Sequence, residues 1–164
     1  MSTSYSGCKA LTCARPVAGD AGLCHKLQGI MPALLALPRD AQVLKSDAKT
    51  MHDRRAAAHP PKNVWDVKNI PGGMVTLEFI AQTRQLLGGK HYQSTAAALR
   101  AESDTASLAT IYELYQQLQN LLRLTKGVNA QTAAILNEAS IEAAEQTLAA
   151  HARTADDFFR GMFA

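Results

Sequence analysis

The sequence predicts an all-α protein, a bundle of about six to seven helices with an irregular N-terminal arm. Three observations carry that expectation. Alanine and leucine supply most of the 47% of hydrophobic residues while aromatics reach only 5%, a balance that favours helices over sheets. Apolar residues recur at spacings of three and four, and no alternating run of useful strand length interrupts them. Capping residues and Pro or Gly stops bracket the periodic stretches. The 164 residues are enough to bury a core without disulfides or metal. They divide into an arm over 1–18 and a helical domain over 19–164.

The elements follow in order. Asp20 caps a helix running to about Leu37, where Pro38 stops it; Leu23, Leu27, Ile30, Leu34 and Leu37 form its stripe. Pro32 should kink that helix or split it. Asp40 caps a second helix to about residue 58, with Val43, Leu44, Ala48 and Met51 on one face. Lys45, Lys49, Arg54 and Arg55 lie on the other, as a solvated charged face or a phosphate-binding patch. His59-Pro60-Pro61 ends it, and residues 62–71 read as an extended connector. Gly72-Gly73 opens a third helix over about 74–87, closed by Gly88-Gly89, with Met74, Leu77, Ile80 and Ala81 sharing a face. Ser94 caps a short helix. A long one over about 104–125 carries Leu108, Ile111, Tyr115, Leu118 and Leu122, and Gly127 ends it. A short helix is expected from Asn129 to Glu138. Ser140 caps the last helix, about 141–163, with Ile141, Ala144, Leu148, Ala152 and Phe159 facing inward.

Charge and cysteine usage narrow the function classes. A formal net charge of +3 is too mild to imply nucleic acid. No apolar run approaches the roughly 18 residues of a membrane span. The Ser-rich start, Met1 to Lys9, lacks the apolar stretch of a secretory signal. A cytoplasmic protein with no nucleic-acid or membrane partner is the expectation. Cys8, Cys13 and Cys24 are odd in number and too widely spaced for a zinc site, so free thiols and no metal site are expected. The five histidines are scattered and offer no catalytic pairing.

The stretch Trp65 to Gln82 is the one that looks chemical. Asp66 and Lys68 precede a Pro-Gly-Gly turn that feeds straight into a helix N-terminus. Glycines let a phosphate approach the backbone, the free N–H groups and helix dipole favour an anion there, and Lys68 adds a point charge. Glu78 stands on the second turn as a polar or metal partner. The plain alternative is ordinary turn chemistry, with Asp66 and Lys68 a surface ion pair and Trp65 a core anchor.

At these residues a family resemblance appears. Trp65-Asp66-Val67-Lys68 followed by Gly72-Gly73-Met74-Val75-Thr76-Leu77-Glu78-Phe79-Ile80-Ala81-Gln82 resembles the W-D-x-K-x-x-x-G-G-h-V-D-I-E-F-h-x-Q signature of bacterial bifunctional glutamine synthetase adenylyltransferase/deadenylylases. The PII-uridylyltransferase helical domain carries a related version. Upstream, residues 10–20 are similar to the A-L-T-R-A-R-P-V-A-G-D run that closes a nucleotidyltransferase lobe in that family. Asp47, Met51 and Arg54 match the helix between the motifs. Three positions depart from the pattern: Cys13 replaces an arginine, His52 stands where the arginine of M-R-x-R is expected, and Thr76 replaces the acidic residue of V-D-I-E-F.

The resemblance implies the C-terminal, adenylylating portion of an enzyme that moves AMP from ATP to a tyrosine of glutamine synthetase. It implies Lys68, Gly72, Gly73 and Glu78 at the nucleotide phosphates, with Arg15 and Asp66 in support. ATP and Mg²⁺ are the cofactors of the family, but the Asp-x-Asp pair that would hold the metal does not occur in this chain. No catalytic residue and no cofactor are therefore expected for this chain alone, and it should be inactive by itself. The second expectation is a non-catalytic module that docks glutamine synthetase, a PII-type signal protein or the missing catalytic lobe. Leu11, Val17 and Leu23 left open to solvent would mark such a docking face.

Overall fold

Asp20, Asp40 and Ser94 each lie in extended backbone immediately before a helix. Each side chain accepts a hydrogen bond from the backbone N–H three residues on, at 2.9, 2.9 and 3.1 Å. They satisfy donors that a helix leaves orphaned at its start. The computed structural model describes residues 9–124 and 138–164. Its helices are α1 (Ala21–Leu35), α2 (Ala41–Ala58), α3 (Met74–Gly88), α4 (Thr95–Arg100), α5 (Ala106–Leu124) and α6 (Glu138–Met162). No strand occurs among the described residues, so the fold is all-α, as the periodicity predicts. None of the helices searched is long and apolar enough to cross a membrane. Cys8, the stop at Gly127 and most of the short helix expected over 129–138 lie outside the described residues.

Helix α3 is the hub, and α2, α4, α5 and α6 all pack on it. Leu77, Phe79 and Ile80 have no exposed surface. The helix also carries buried Thr76, Gln82, Thr83 and Gln85. Gln85 Oε1 accepts from the Tyr92 N–H at 3.0 Å and so fixes the chain where it leaves the helix. Gly89 closes α3 with φ of 60°, the left-handed region open to glycine. The α4–α5 turn is pinned by the buried Thr105 hydroxyl, which donates to the Leu99 carbonyl at 2.7 Å. On α5 the expected face is buried at Leu108, Ile111 and Tyr115 and half-buried at Leu118 and Leu122. On α6 it is buried at Leu148, Ala152 and Phe159 and half-buried at Ile141 and Ala144.

Three expectations are corrected. Pro32 does not split α1, which is one helix to Leu35 and stops short of Leu37. A proline in the last turn forfeits a single helical donor, and the Arg39 guanidinium takes up the carbonyls that follow. It donates to Leu34, Leu35 and Leu37 at 2.8, 2.6 and 2.8 Å. Residues 62–71 are not extended but a succession of turns, folded by Asn63, whose side-chain Oδ1 accepts from the Trp65 N–H at 3.0 Å, and by the Asp66 side chain described below. Helix α6 begins at Glu138, which leaves Ser140 inside it and not at its cap; Glu138 and Ala139 are good helix formers. The α1 stripe lies open: Leu23, named above for a docking face, is exposed together with Ile30, Leu34 and Leu37, and only Leu35 is fully covered. Val43 is likewise exposed, because α2 buries the stripe of Leu44 and Ala48 one position round the helix.

Candidate functional site

The turns that lead into α3 are organised by Asp66. Its backbone N–H donates to the Asn63 carbonyl at 3.1 Å, and its own carbonyl accepts from the Asn69 and Ile70 N–H groups. Its carboxylate accepts from both the Asn69 side-chain amide, at 3.1 and 3.2 Å, and the Lys62 N–H at 3.4 Å. Arg55 on α2 donates to Asn69 Oδ1 at 3.2 Å, which ties the turns to the bundle. Trp65 ties them to α6, its indole N–H donating to Glu145 Oε1 at 2.9 Å. Asp66 is thus a turn-building residue, and it forms no ion pair with Lys68, whose side chain is exposed.

Gly72 is buried with φ of 72°, and a Cβ placed there would lie 1.8 Å from the Ala152 carbonyl oxygen. The backbone of α6 therefore occupies the close approach that a missing Cβ permits. A Cβ on Gly73 would meet the Val67 and Ile70 carbonyls at 2.5 and 2.8 Å. The donors at the helix start are engaged from within: Gly73 N–H on Ile70, Met74 on Val67 and Val75 on Lys68, at 2.8, 2.9 and 3.3 Å. In this chain the glycine pair serves packing between the turns, α3 and α6, and those three amides face carbonyls of the chain.

Glu78 faces a different neighbourhood. It accepts from the Tyr112 hydroxyl at 3.4 Å. Burial raises the Tyr112 pKa, and the Glu78 charge raises it further. Lys9 lies over the Phe79 ring with its ammonium 3.6 Å from the centroid; burial lowers its pKa while Glu78 pulls it back up. Arg15 sits apart again, donating to the Gln93 carbonyl at 3.2 Å, beside a contact of 3.1 Å between the His91 ring and the Ala14 carbonyl. The arm is thereby clipped to the loop after α3. The structure brings Asp66, Lys68, Gly72 and Gly73 into one turn and leaves Glu78 and Arg15 in two other places. Among the described residues searched, no three His, Cys, Asp or Glu side chains come together to hold a metal ion. The chemistry of the groups around Glu78, an ammonium and a phenol, does not fit a Mg²⁺ site.

A cleft that the sequence reading did not single out lies between α2, the turn at 69–71, the start of α3 and α6, with a volume of about 350 Å³. At its inner wall His52 Nε2 meets Thr76 Oγ1 at 3.1 Å. The imidazole is packed edge-on against Phe79 and tilted over Phe159, with centroids 5.2 and 4.2 Å away. Burial lowers its pKa, and Asp53, 3.5 Å from Nδ1, acts in the opposite direction. His52 and Thr76 are two of the three departures from the family pattern, and here they are partners. The pattern carries an arginine and an acidic residue at these positions; the chain carries a neutral pair. Two departures that remove opposite charges together are a signal of contact that the sequence already held.

No family model matches the chain, and no solved structure matches it. Curated relatives do. The chain is 42% identical over 79 residues to the "Bifunctional glutamine synthetase adenylyltransferase/adenylyl-removing enzyme" of Mesorhizobium japonicum, which covers 48% of this chain and 8% of that protein. It is 34% identical over 131 residues to the enzyme of the same description from Rhizobium meliloti, and 33% over 129 residues to that of Agrobacterium fabrum. Each of these two matches covers 70% of this chain and 13% of the relative. The chain thus spans a small fraction of the length of the relatives it matches.

Proposed function

Over its matched residues the chain belongs to the family of bifunctional glutamine synthetase adenylyltransferase/adenylyl-removing enzymes, and from that premise we propose that it acts as a helical portion of such an enzyme, beside a nucleotidyltransferase lobe. The observation that carries this reading is the uncovered apolar surface of the arm and α1. Val17 is 84% exposed and Leu23 57%, whereas Leu11 is partly covered by the core. Ile30 and Leu37 extend the same unburied stripe. Apolar surface at that position is what a lobe packed ahead of the helical domain would cover.

In this reading ATP and Mg²⁺ are held by the lobe, and glutamine synthetase is the acceptor of AMP. Lys68 and Arg15, both exposed, are the cations of the predicted set left to meet nucleotide phosphates. Asp66, Gly72 and Gly73 shape the turns between Lys68 and α3.

The test is reconstitution. The chain incubated alone with ATP, Mg²⁺ and glutamine synthetase is expected to attach no AMP. Added to a Rhizobium meliloti enzyme truncated before the matched segment, it is expected to form a complex and restore transfer. A Val17→Asp/Leu23→Asp variant should lose both. AMP attachment by the chain alone would overturn the proposal, and so would failure to bind the truncated enzyme. Capture of glutamine synthetase or a PII-type protein by the chain without any lobe would favour the docking-module reading instead.

A further inference from the structure

The cleft at His52 has a second property, independent of the arm and α1. Its lining carries three permanent cations, Lys49, Arg55 and Arg160, against two carboxylates, Asp53 and Asp156. Asp156 is engaged by Arg160 Nε at 2.8 Å. Asp53 lies 3.5 Å from the His52 ring. Arg55 donates to a neutral amide, Asn69, so its charge is not compensated there. Lys49 is exposed and takes part in none of the ion pairs among the described residues. Two cations of one helix therefore face the cleft without a carboxylate of their own. Its other walls are apolar, built by Phe159, Val75, Ile70, Pro71, Pro61 and Ala56.

We propose that this cleft binds a small organic phosphate, with the phosphate on Lys49, Arg55 and Arg160 and the organic body against Phe159 and Val75. The chemistry of the walls selects the class. The lining carries three cations against two carboxylates, and Lys49 and Arg55 are the cations with no carboxylate engaged on them; a phosphate dianion can draw on both, where a carboxylate would bring one charge. A guanidinium and an ammonium together offer forked and point donors to phosphate oxygens. An apolar body gains from the apolar walls, which a bare inorganic ion cannot use. A cleft of about 350 Å³ is of a size for a compact ligand of this kind. His52, kept low in pKa by burial, adds no charge of its own at neutral pH. A dianion held beside it would raise that pKa, so the imidazole is a built-in reporter.

The test uses the full chain and phenyl phosphate, with phenol and inorganic phosphate as comparisons. NMR titration is expected to show saturable binding of phenyl phosphate, with shifts at His52, Thr76 and Phe159 and an upward move of the His52 pKa. Phenol and inorganic phosphate should each bind on the order of tenfold more weakly, as half of the contacts are lost in each. Lys49→Ala, an exposed change that leaves the core untouched, should weaken phenyl phosphate on the order of tenfold. Lys26→Ala on α1, remote from the cleft lining, should leave it unchanged. Absence of saturation, shifts that bypass His52 and Thr76, or equal affinity for inorganic phosphate would each overturn the proposal. Unaltered affinity in Lys49→Ala would do the same, since its fold is checked independently by circular dichroism.

Discussion

Helices α1 and α3 are each fifteen residues long and carry comparable sets of large aliphatic side chains. Yet α3 buries eleven of its residues and α1 buries only Leu35. Apolar content does not separate them; the number of neighbours does. Four helices pack on α3, and its Gly-Gly start lets the backbone of α6 approach as well. Of the polar residues inside, Thr76 has His52 as a partner, and Gln85 Oε1 accepts from the Tyr92 N–H. Helix α1 is held at its ends, by the Asp20 cap and by Arg39 on its last carbonyls, and between them its stripe stays in water. The core of the molecule is thus built around α3, while α1 is a surface helix that buries only Leu35.

The largest effect that would probe this contrast is at the α3–α6 contact. Gly72→Ala places a Cβ against the Ala152 carbonyl and also demands positive φ from an L side chain. Overpacking and left-handed strain together should cost roughly 3–5 kcal/mol, read as a lowered urea midpoint with loss of α6 contacts. A midpoint close to that of the unaltered chain would show that α6 is not seated on Gly72.

The next is a paired truncation. Leu77→Ala, which empties a fully buried site, should cost about 3 kcal/mol, whereas Leu23→Ala should stay within about 0.5 kcal/mol in the isolated chain. If the two variants lose similar stability, α1 is covered in solution by something the isolated fold does not show. Adding the truncated relative should make Leu23→Ala costly in binding while leaving the cost of Leu77→Ala in folding.

The smallest effect is at pH. His52 has its folded pKa lowered below the ordinary 6.5, so the unfolded chain takes up that proton first. The contribution of neutral His52 is complete above 6.5 and is lost as pH falls through 6.5 toward the lower folded value. Thermal melts between pH 8 and pH 5 should therefore show stability declining on the acid side, and His52→Gln should flatten that decline. A decline of equal slope in the variant would assign it to other groups.

Much of this architecture is legible in the chain. The caps at Asp20, Asp40 and Ser94 and the Gly-Gly stop of α3 are local chemistry, settled within a few residues of each other. The periodic faces of α5 and α6 are legible for the same reason. The turns at 62–71 were not, because their shape rests on which donors the Asn63 and Asp66 side chains find, and an extended reading satisfies the same residue types. Gly72 and Gly73 were legible as a place of close backbone approach. What approaches was not, since Ala152 lies eighty residues downstream of Gly72.

The all-α class, the positions of most helix starts and the family were legible in the sequence, and the curated relatives carry the same family description. They were legible because capping, periodicity and motif are properties of neighbouring residues. The tertiary structure alone decided which stripe is buried, that α3 and not α1 became the centre, and that α6 backbone fills the glycine cradle. It also set His52 beside Thr76 at the wall of a cationic cleft. Those outcomes depend on contacts between residues far apart in the chain, where apolar surface shed from water goes to whichever partners the packing brings within reach.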